Sequence, residues 1–448
     1  MMEQVQSAAA KKFFGVQLVD GLKRRNWLTY LFAVLISSGY AGALSILQPG
    51  LLQVIGIPYT EQATLTGLLG GLQEVVFILM MGLYGVLADR FGRRAIYVFG
   101  LATTALGFAL YGSATSVEQL VAYRLIVAFG SAAMVGMMVT VVADYSADCS
   151  RGKANGTQGA IATLGAFIPP ALAGLPQSFV AQGYSEAAAQ QATFAVASAL
   201  GVVAAVVALF GLSKQVGKVV SAQKEPLLRL LRQGAVAAKK PAIALSYGAA
   251  FISRGDLAVT GAFMGLWLVQ YGTGTLGLSA SDAMAQLAMP AILMVVSGAL
   301  VGSVLTGYLS DKVSRVTAVT IASGLAACVY GAMFFVSNPT VSWVFPLLFV
   351  MGIAEISAFV SSQALVGEQA PAERKGAVIG LFGVAGAVGI LVATTGGGYL
   401  FAQLSPSAPF VLFGVLNFVV FVWSLLLRKP QLNSTSDYSQ NTVSNQAR

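Results

Sequence analysis

The chain has 448 residues, of which 56% are hydrophobic and only 10% are charged, and its mean hydropathy is +0.77. A soluble globular chain carries about 25% charged residues, so the composition excludes water as the main solvent and indicates an integral membrane protein. The formal charge of +9 does not indicate a nucleic-acid partner, because the basic residues lie between apolar stretches and form no long polar face with interleaved aromatic residues.

Twelve apolar stretches are long enough to cross a bilayer, since a spanning helix needs about 20 mainly apolar residues. They lie at about 27–48, 63–88, 95–113, 117–142, 154–176, 191–212, 242–271, 288–309, 316–336, 340–364, 375–402 and 408–427. The stretches run unbroken, whereas a membrane β-barrel shows short segments of alternating hydrophobicity. The 50 glycines also fit helices that pack closely in a membrane. We therefore predict an all-α integral membrane fold with 12 transmembrane helices.

The basic residues outside these helices all fall on one side of the membrane if the amino-terminal segment, residues 1–26, is cytoplasmic. The external loops then contain no lysine or arginine, and only Arg124 and Arg254 lie inside helices. This positive-inside pattern predicts a multi-pass protein of the cell inner membrane with both termini in the cytoplasm. The first 26 residues lack the apolar core of a secretory signal peptide, which agrees with a cytoplasmic amino terminus.

A long cytoplasmic linker, residues 213–241, divides the predicted helices into an N-terminal half, 27–212, and a C-terminal half, 242–427. Residues 226–232 of the linker alternate apolar and basic faces. This pattern fits either a short helix on the inner leaflet or a solvated basic segment. The cytoplasmic tail, 428–448, is rich in Ser, Asn, Gln and Thr, so we expect it to be disordered.

A short motif after the second helix recurs after the eighth. It reads Gly-Val-Leu-Ala-Asp-Arg-Phe-Gly-Arg-Arg at 85–94, and residues 307–315 repeat its first glycine, its aspartate and two of its three basic positions. After the fourth and tenth helices, Asp144 aligns with Glu368 at nearly the same offset. The two matches indicate a duplication into two pseudo-symmetric six-helix halves. Internal repeats of this kind are typical of secondary transporters, whose substrate site lies near mid-membrane at the repeat interface.

The motif at 85–94 resembles the signature Gly-x-x-x-Asp-Arg-x-Gly-Arg-Arg of the major facilitator superfamily, and the resemblance covers about residues 25–428. Helix four, from Arg124 onward, is similar to an arginine-and-glycine pattern of that family, except that Ala128 replaces the first glycine. Helix five, 165–174, resembles a degenerate form of the glycine-proline signature of the family's antiporters, which favours export.

The resemblance implies a cytoplasmic gate that holds the two halves together while the cavity faces outward. In this sequence its residues are Gly85, Asp89, Arg90, Gly92 and Arg93, with Asp311 and Arg315 from the second copy, where Ser314 replaces the second glycine. A carboxylate near a helix amino terminus and near arginine is stabilised by both, which agrees with that role. The alternative is that these charges only set the topology.

Five charged residues lie well inside predicted helices and are candidates for the transport site: Glu74, Arg124, Arg254, Asp256 and Glu355. A charge at the bilayer centre costs at least about 2.5–3.5 kcal/mol on insertion scales, so these groups should face the protein interior or a wet cavity. The family resemblance places all of them except Glu74 on helices that line the central cavity.

The three acids are candidates for proton coupling, with Asp256 and Glu355 ahead of Glu74, because intramembrane carboxylates can load and release protons. The alternative is a static buried ion pair that fixes helix packing. Arg124 and Arg254 are candidates for the cavity, where a guanidinium binds an anionic group through forked hydrogen bonds. Arg124 could instead support proton coupling or anchor its helix.

These features predict a secondary transporter that moves a small-molecule substrate by alternating access, coupled to protons and leaning to drug or metabolite efflux. The alternative is proton-coupled uptake of an organic anion such as a carboxylate, and a third hypothesis is a non-transporting membrane sensor. The sequence has no histidine and no phosphate-binding loop, and Cys149 and Cys328 match no metal-ligand spacing. We therefore expect no metal, no cofactor and no enzymatic activity. Nothing in the predicted fold requires more than a monomer in the lipid bilayer.

Overall fold

The computed structural model describes residues 12–13, 16–214, 227–371 and 374–444. Within these ranges the chain is almost entirely helical, apart from a small antiparallel hairpin in which β1 (Lys12–Phe13) pairs with β2 (Val16–Gln17). This confirms the predicted all-α class.

The long helices follow the predicted spans in chain order. The continuous helices are α1 Arg24–Ile55, α2 Tyr59–Phe91, α3 Arg93–Tyr111, α4 Val117–Tyr145, α6 Glu186–Gly211, α9 Arg315–Ala332, α10 Val344–Gln369, α11 Lys375–Gln403 and α12 Ala408–Ser444. Helix α5 has three pieces, Arg151–Gly165, Ile168–Ala173 and Leu175–Ala181. Each of the other two contains a π-helical turn: α7 consists of Pro241–Val259, the turn Thr260–Met264 and Gly265–Gly274, and α8 consists of Ala280–Ala283, the turn Met284–Ala288 and Met289–Lys312. A shorter linker helix, Leu227–Ala237, precedes α7.

Eleven helices in the described part of the chain are long and apolar enough to cross a membrane. The predicted span that this set omits, 242–271, is α7. A π-helical turn divides α7, and its longer piece carries Arg254 and Asp256.

Serine residues begin several of these helices. Ser116, Ser185 and Ser314 lie just before α4, α6 and α9, and each hydroxyl accepts a hydrogen bond from the backbone N–H three residues further on. A serine in this position satisfies one of the N–H groups that a helix leaves without a partner in its first turn.

The tight connection between α2 and α3 depends on a glycine. Gly92 has φ +93° and ψ 147°, a backbone conformation that is essentially restricted to glycine. Ser314 holds the same position in the second copy of the motif, where its φ is −60° and its side chain caps α9. The backbone therefore requires the motif glycine in the first copy and not in the second, which explains the difference between the two copies.

The described residues form two compact units. The first takes those within Met1–Ile57, Leu72–Lys224 and Gly277–Met289, and the second those within Pro58–Gly71, Glu225–Leu276 and Pro290–Arg448. The start of α2 belongs to the second unit, and the start of α8 belongs to the first.

In the first unit, α3 and α4 approach one another through small residues. A Cβ atom added to Gly100 would lie 2.6 Å from the backbone nitrogen of Met134, and one added to Gly130 would lie 2.5 Å from that of Thr104. These positions leave no room for a side chain, so the two backbones pack directly together, as small residues allow in membranes.

In the second unit, glycines bring the helices that carry the buried acids into close contact. A Cβ atom on Gly352 of α10 would overlap the carbonyl oxygen of Val295 on α8, and one on Gly389 of α11 would overlap that of Phe251 on α7. Close backbone contacts therefore fix α7 and α10 in this unit.

A strap formed by residues Val16–Val19 ties the amino-terminal segment to the connection between α4 and α5. The Ser150 hydroxyl accepts from the Gln17 N–H at 3.0 Å and donates to the Gln17 carbonyl oxygen at 2.9 Å. The N–H of Val19 donates to the Tyr145 carbonyl oxygen at 3.1 Å. Val16 and Ser150 are buried, so this strap is part of the packed first unit.

The linker and the tail differ in how well they match expectation. The linker contains a helix, Leu227–Ala237, as one of the two hypotheses expected, while Pro226 lies outside the described residues. In the tail, which the sequence predicts to be disordered, the backbone of α12 continues to Ser444. No glycine or proline follows Pro430, and extending an existing helix avoids the cost of nucleation.

Candidate transport site

Asp256 is fully buried on α7 and is held by an amide from α12. The Asn417 Nδ2 group donates to both carboxylate oxygens of Asp256, at 2.9 and 3.0 Å, and also to the Phe413 carbonyl oxygen at 3.0 Å. Asp256 is 0% exposed and Asn417 is 2% exposed. A buried carboxylate with hydrogen bonds from an amide is satisfied without any positive charge.

Glu355 on α10 is the second buried acid of the same unit. The Tyr330 hydroxyl of α9 donates to Glu355 Oε1 at 2.5 Å, and the Tyr330 oxygen lies 2.8 Å from the hydroxyl of Thr260. Thr260 opens the π-helical turn of α7, four residues after Asp256. The three polar groups form a continuous buried hydrogen-bonded chain.

Asp256 and Glu355 belong to one cluster. The Tyr330 hydroxyl donates to Glu355 and hydrogen-bonds to Thr260, which lies one helical turn after Asp256 on α7. Among the described residues, neither carboxylate forms an ion pair with a lysine or arginine, and their hydrogen-bond partners are neutral. We call Asp256, Glu355, Tyr330, Thr260 and Asn417 the acid cluster.

Arg254 lies only two positions from Asp256 but on a different side of α7. Its Cζ atom is 5.4 Å from the centre of the Phe359 ring on α10. Its aliphatic stem covers Gly386 on α11, where an added Cβ atom would overlap the stem. The structure thus separates Arg254 from the acid cluster, as expected for residues about 200° apart on a helix.

Arg124 of α4 lies in the first unit and is 5% exposed. Its Nη1 group donates to the Gln48 Oε1 atom at 3.4 Å, and the Tyr111 hydroxyl donates to the same oxygen at 2.8 Å. The Arg124 Nε atom is buried without a hydrogen-bond partner, and no carboxylate pairs with this guanidinium in the described part of the chain. The result is a buried positive charge whose hydrogen-bonding capacity is only partly used.

Glu74, the third acid candidate, is partly buried on α2. It belongs to the first unit, whereas the acid cluster belongs to the second. The structure therefore brings Asp256 and Glu355 together within one unit and assigns Glu74 to the other.

The first copy of the motif forms a compact ion-pair network. Arg93 donates from Nη1 to Asp89 at 2.6 Å and from Nε to Asp144 at 2.9 Å, and Arg93 is 8% exposed. The Arg90 guanidinium lies 5.4 Å from the centre of the Phe91 ring. Because Arg93 joins three helix ends within the first unit, these residues do more than add charge to a loop.

Part of this network is repeated in the second unit. Arg315 Nε lies 3.3 Å from Glu368 Oε2, and these two residues align with Arg93 and Asp144 in the internal repeat. The side chain of Asp311 lies outside the described residues. An added Cβ atom on Gly85 would meet nothing within 4 Å, so this motif glycine is not required by packing in this structure.

Several groups that complete these sites have no role in the predictions from sequence: Asn417, Tyr330, Thr260, Tyr111 and Asp144. Asn417 carries a usable signal, since it is an amide within the apolar run 408–427, and polar groups in membrane helices usually bond to another helix. Asp144 aligns with Glu368 in the repeat, but the family resemblance does not include it in the gate.

Helices of spanning length, with buried charges inside them and a repeated ion pair at their ends, define a multi-pass membrane transporter. The particular family follows from comparison with known proteins. The model of the Major Facilitator Superfamily matches residues 27–394 and 298–444, and the chain belongs to this family of transporters.

Several curated relatives are similar over most of the chain or part of it. Magnetosome protein MamH of Paramagnetospirillum magneticum is 25% identical over 96% of this chain and 96% of its own length. Magnetosome protein MamZ of the same organism is 25% identical over 94% of this chain, which spans only 65% of MamZ. Multidrug resistance protein 3 of Bacillus subtilis is 35% identical, but over only 20% of this chain and 18% of its own length.

Solved structures share the fold at low sequence identity. The nucleoside transporter NupG superposes with a TM-score of 0.69 at 14% identity, covering 91% of this chain and 100% of its own. A bacterial homologue of the human lysosomal transporter Spinster superposes with a TM-score of 0.69 at 17% identity, covering 91% of this chain and 97% of its own. These likenesses define the fold and carry no information about the substrate.

Proposed function

We propose that the chain is a proton-coupled secondary transporter and that its acid cluster carries the coupled proton. The observation that supports this most is a pair of fully buried carboxylates, Asp256 and Glu355, without a lysine or arginine on either one among the described residues. An isolated buried charge is costly, and two like charges near one another repel. A proton bound within the cluster neutralises one carboxylate, which lowers both the cost of burying charge and the repulsion between the two acids.

The competing hypothesis of a static ion pair requires a cation beside each acid. The partners are instead an amide, Asn417, and a phenol, Tyr330, which also hydrogen-bonds to the Thr260 hydroxyl. Thr260 also lies in a π-helical turn, a distortion that is frequent at functional sites. Neutral partners that bond to a carboxyl group in either protonation state suit a group that gains and loses a proton during a cycle.

The test is substrate-induced proton movement in proteoliposomes under an imposed pH gradient. Cationic drugs and organic acids are screened with the wild type, with Asp256→Asn and with Glu355→Gln. Glu118→Gln is the matched control, because Glu118 is an exposed carboxylate at the start of α4. We expect each cluster substitution to abolish coupled proton movement and the control to retain it. Proton movement that is unchanged in both cluster variants would contradict the proposal.

For substrate and direction, we propose efflux of drug-like or other amphipathic compounds. The degenerate glycine-proline pattern of α5 and the local similarity to Multidrug resistance protein 3 support this direction. Efflux predicts that cells carrying the protein accumulate less of a cationic dye than cells carrying Asp256→Asn. Equal dye accumulation in the two strains, together with gradient-driven entry of an organic acid, would contradict efflux.

The second candidate is proton-coupled uptake of an organic anion, and Arg124 favours it. Its guanidinium is buried, has no carboxylate partner in the described part of the chain, and leaves Nε without a hydrogen bond. A carboxylate ligand would supply the missing charge and acceptors through a forked arrangement.

Conservative substitution separates this role from simple packing. For anion uptake, Arg124→Gln should lose weak-acid uptake, and Arg124→Lys should retain a part of it because the charge remains without the planar fork. Arg232→Gln, an exposed arginine of the linker helix, is the control. Two results together would reject the anion hypothesis. No variant would take up weak acids, and Arg124→Gln would change cationic dye transport no more than Arg232→Gln does.

We also propose that the ion pairs of Arg93 and Arg315 form the cytoplasmic gate in an inner-membrane protein with both termini in the cytoplasm. The exposed Cys149, between α4 and α5, supplies the test of orientation. A membrane-impermeant maleimide should not modify it in intact cells, whereas Ser113→Cys on the opposite side should be modified in a Cys149→Ser, Cys328→Ser background. Modification of Cys149 from outside would reverse the orientation.

A further inference from the structure

An apolar groove runs between α9 and α12 in the second unit, and none of the residues of the acid cluster line it. Its volume is about 740 Å³, and its walls include Ile321, Cys328 and Gly331 on α9 and Val415 and Phe418 on α12. The side chains of Ile321, Val415 and Phe418 are 46%, 56% and 55% exposed. Exposed apolar side chains on spanning helices are solvated by lipid, so the natural occupant of this groove is an acyl chain.

The groove owes its shape to glycines on facing helices. A Cβ atom on Gly414 would lie 2.7 Å from the Gly331 nitrogen, and one on Gly324 would lie 3.0 Å from the Phe421 ring, so the two helices approach closely at both points. A Cβ atom on Gly331 would meet nothing within 4 Å, because that glycine opens on the groove. Along α9 the groove extends from Thr320 to Gly331, about 17 Å at 1.5 Å per residue. Along α12 it extends further, from Val411 to Arg428, about 26 Å, so it crosses most of a hydrocarbon core of about 30 Å.

One end of this apolar groove carries a positive charge. Arg428 lines it beside Leu425 at the end of the α12 span, on the predicted cytoplasmic side, and its side chain is exposed. Basic residues at this depth attract anionic headgroups, with about 1 kcal/mol per residue at the membrane surface. An apolar groove with an arginine at its polar end matches the two parts of an anionic lipid.

We propose that the groove between α9 and α12 binds an anionic phospholipid, with one acyl chain in the groove and its phosphate on Arg428. The site lies outside the acid cluster and does not depend on the proposed proton coupling.

The native Cys328 reports on occupancy, because it lines the groove and is exposed. The full chain with Cys149→Ser is purified in detergent, and the alkylation rate of Cys328 is measured with phosphatidylglycerol or with phosphatidylcholine of identical chains. Native mass spectrometry counts the bound lipids in parallel. Arg428→Gln removes the charge and Gly331→Leu fills the groove. Their controls are Arg232→Gln, an exposed arginine elsewhere, and Gly396→Leu, a position with equally open space that does not line the groove.

We expect phosphatidylglycerol to slow the alkylation of Cys328 more than phosphatidylcholine does. Arg428→Gln should weaken phosphatidylglycerol binding about fivefold, since one basic residue contributes about 1 kcal/mol to binding an anionic headgroup. Phosphatidylcholine binding should be unchanged. Gly331→Leu should abolish the dependence on either lipid, while both controls behave as the wild type.

Three results would overturn the proposal. Equal protection by the two lipids in the wild type would remove the anionic specificity. Protection that survives both Arg428→Gln and Gly331→Leu would place the lipid elsewhere. Protection by soluble glycerol phosphate alone, equal to that of phosphatidylglycerol, would indicate a site for free phosphate and not for a lipid.

Discussion

Asp256 and Asn417 show how a single amide can support an acid inside a membrane helix. The Asn417 side chain donates to both oxygens of the carboxylate and is itself 2% exposed. No charged group shares this task among the described residues. The pair is therefore the most informative place to measure what a neutral partner contributes.

Replacement of Asn417 by leucine should destabilise the protein by about 1–3 kcal/mol, because it leaves a buried carboxylate without its donor. Thermal unfolding in detergent measures this loss. In an Asp256→Leu background the same substitution should cost much less, since no carboxylate remains to be satisfied. An equal loss in both backgrounds would mean that Asn417 acts through packing and not through the hydrogen bonds.

Gly92 is the residue where the motif is explained by backbone conformation. Its φ of +93° and ψ of 147° cost other residues about 1–3 kcal/mol, so Gly92→Ala should lower thermal stability by an amount in that range. Gly85→Ala serves as the control, because its Cβ atom enters open space within the same motif. Comparable losses in the two variants would contradict the account of the turn.

At the scale of elements, the strap at Val16–Val19 is held by backbone hydrogen bonds and by one side chain, Ser150. The Ser150 hydroxyl both accepts from and donates to the Gln17 backbone, and it is 5% exposed. Ser150→Ala should therefore release the strap and leave the helices intact.

Hydrogen exchange measures this release. The amides of Gln17 and Val19 should exchange at least about fivefold faster in Ser150→Ala, the equivalent of losing one hydrogen bond of about 1 kcal/mol. Ser113→Ala, which removes an exposed hydroxyl bonded only within its own turn, should leave these amides unchanged. Unchanged protection in Ser150→Ala would show that the backbone hydrogen bonds and apolar contacts of the strap hold it without the Ser150 hydroxyl.

The elements also show what the sequence could predict. Apolar length predicts the positions of the spans, because a bilayer requires about 20 apolar residues whatever the neighbours are. In the tail, low apolar content favours disorder, yet the backbone of α12 continues past Pro430 to Ser444. The two π-helical turns have no sequence signal, since they arise from packing between helices.

At the scale of the whole molecule, the internal repeat is the most useful pattern in the sequence. It aligns Arg93 with Arg315 and Asp144 with Glu368, and the structure contains the matching ion pairs in its two units. The acid cluster could be predicted only in part. Asp256 and Glu355 are unusual in apolar helices, but Tyr330 and Asn417 become partners through tertiary packing, which no spacing rule conveys.

The central claim is that the acid cluster couples transport to protons, and the most direct test compares two modes of transport in one preparation. Gradient-driven accumulation of a substrate requires the proton to be loaded and released, whereas exchange of labelled for unlabelled substrate at equal pH does not. We predict that Asp256→Asn and Glu355→Gln lose gradient-driven accumulation and retain exchange in proteoliposomes, with Glu118→Gln normal in both. Accumulation that persists in both cluster variants at the wild-type level would contradict the account, and so would the joint loss of exchange and accumulation with intact folding.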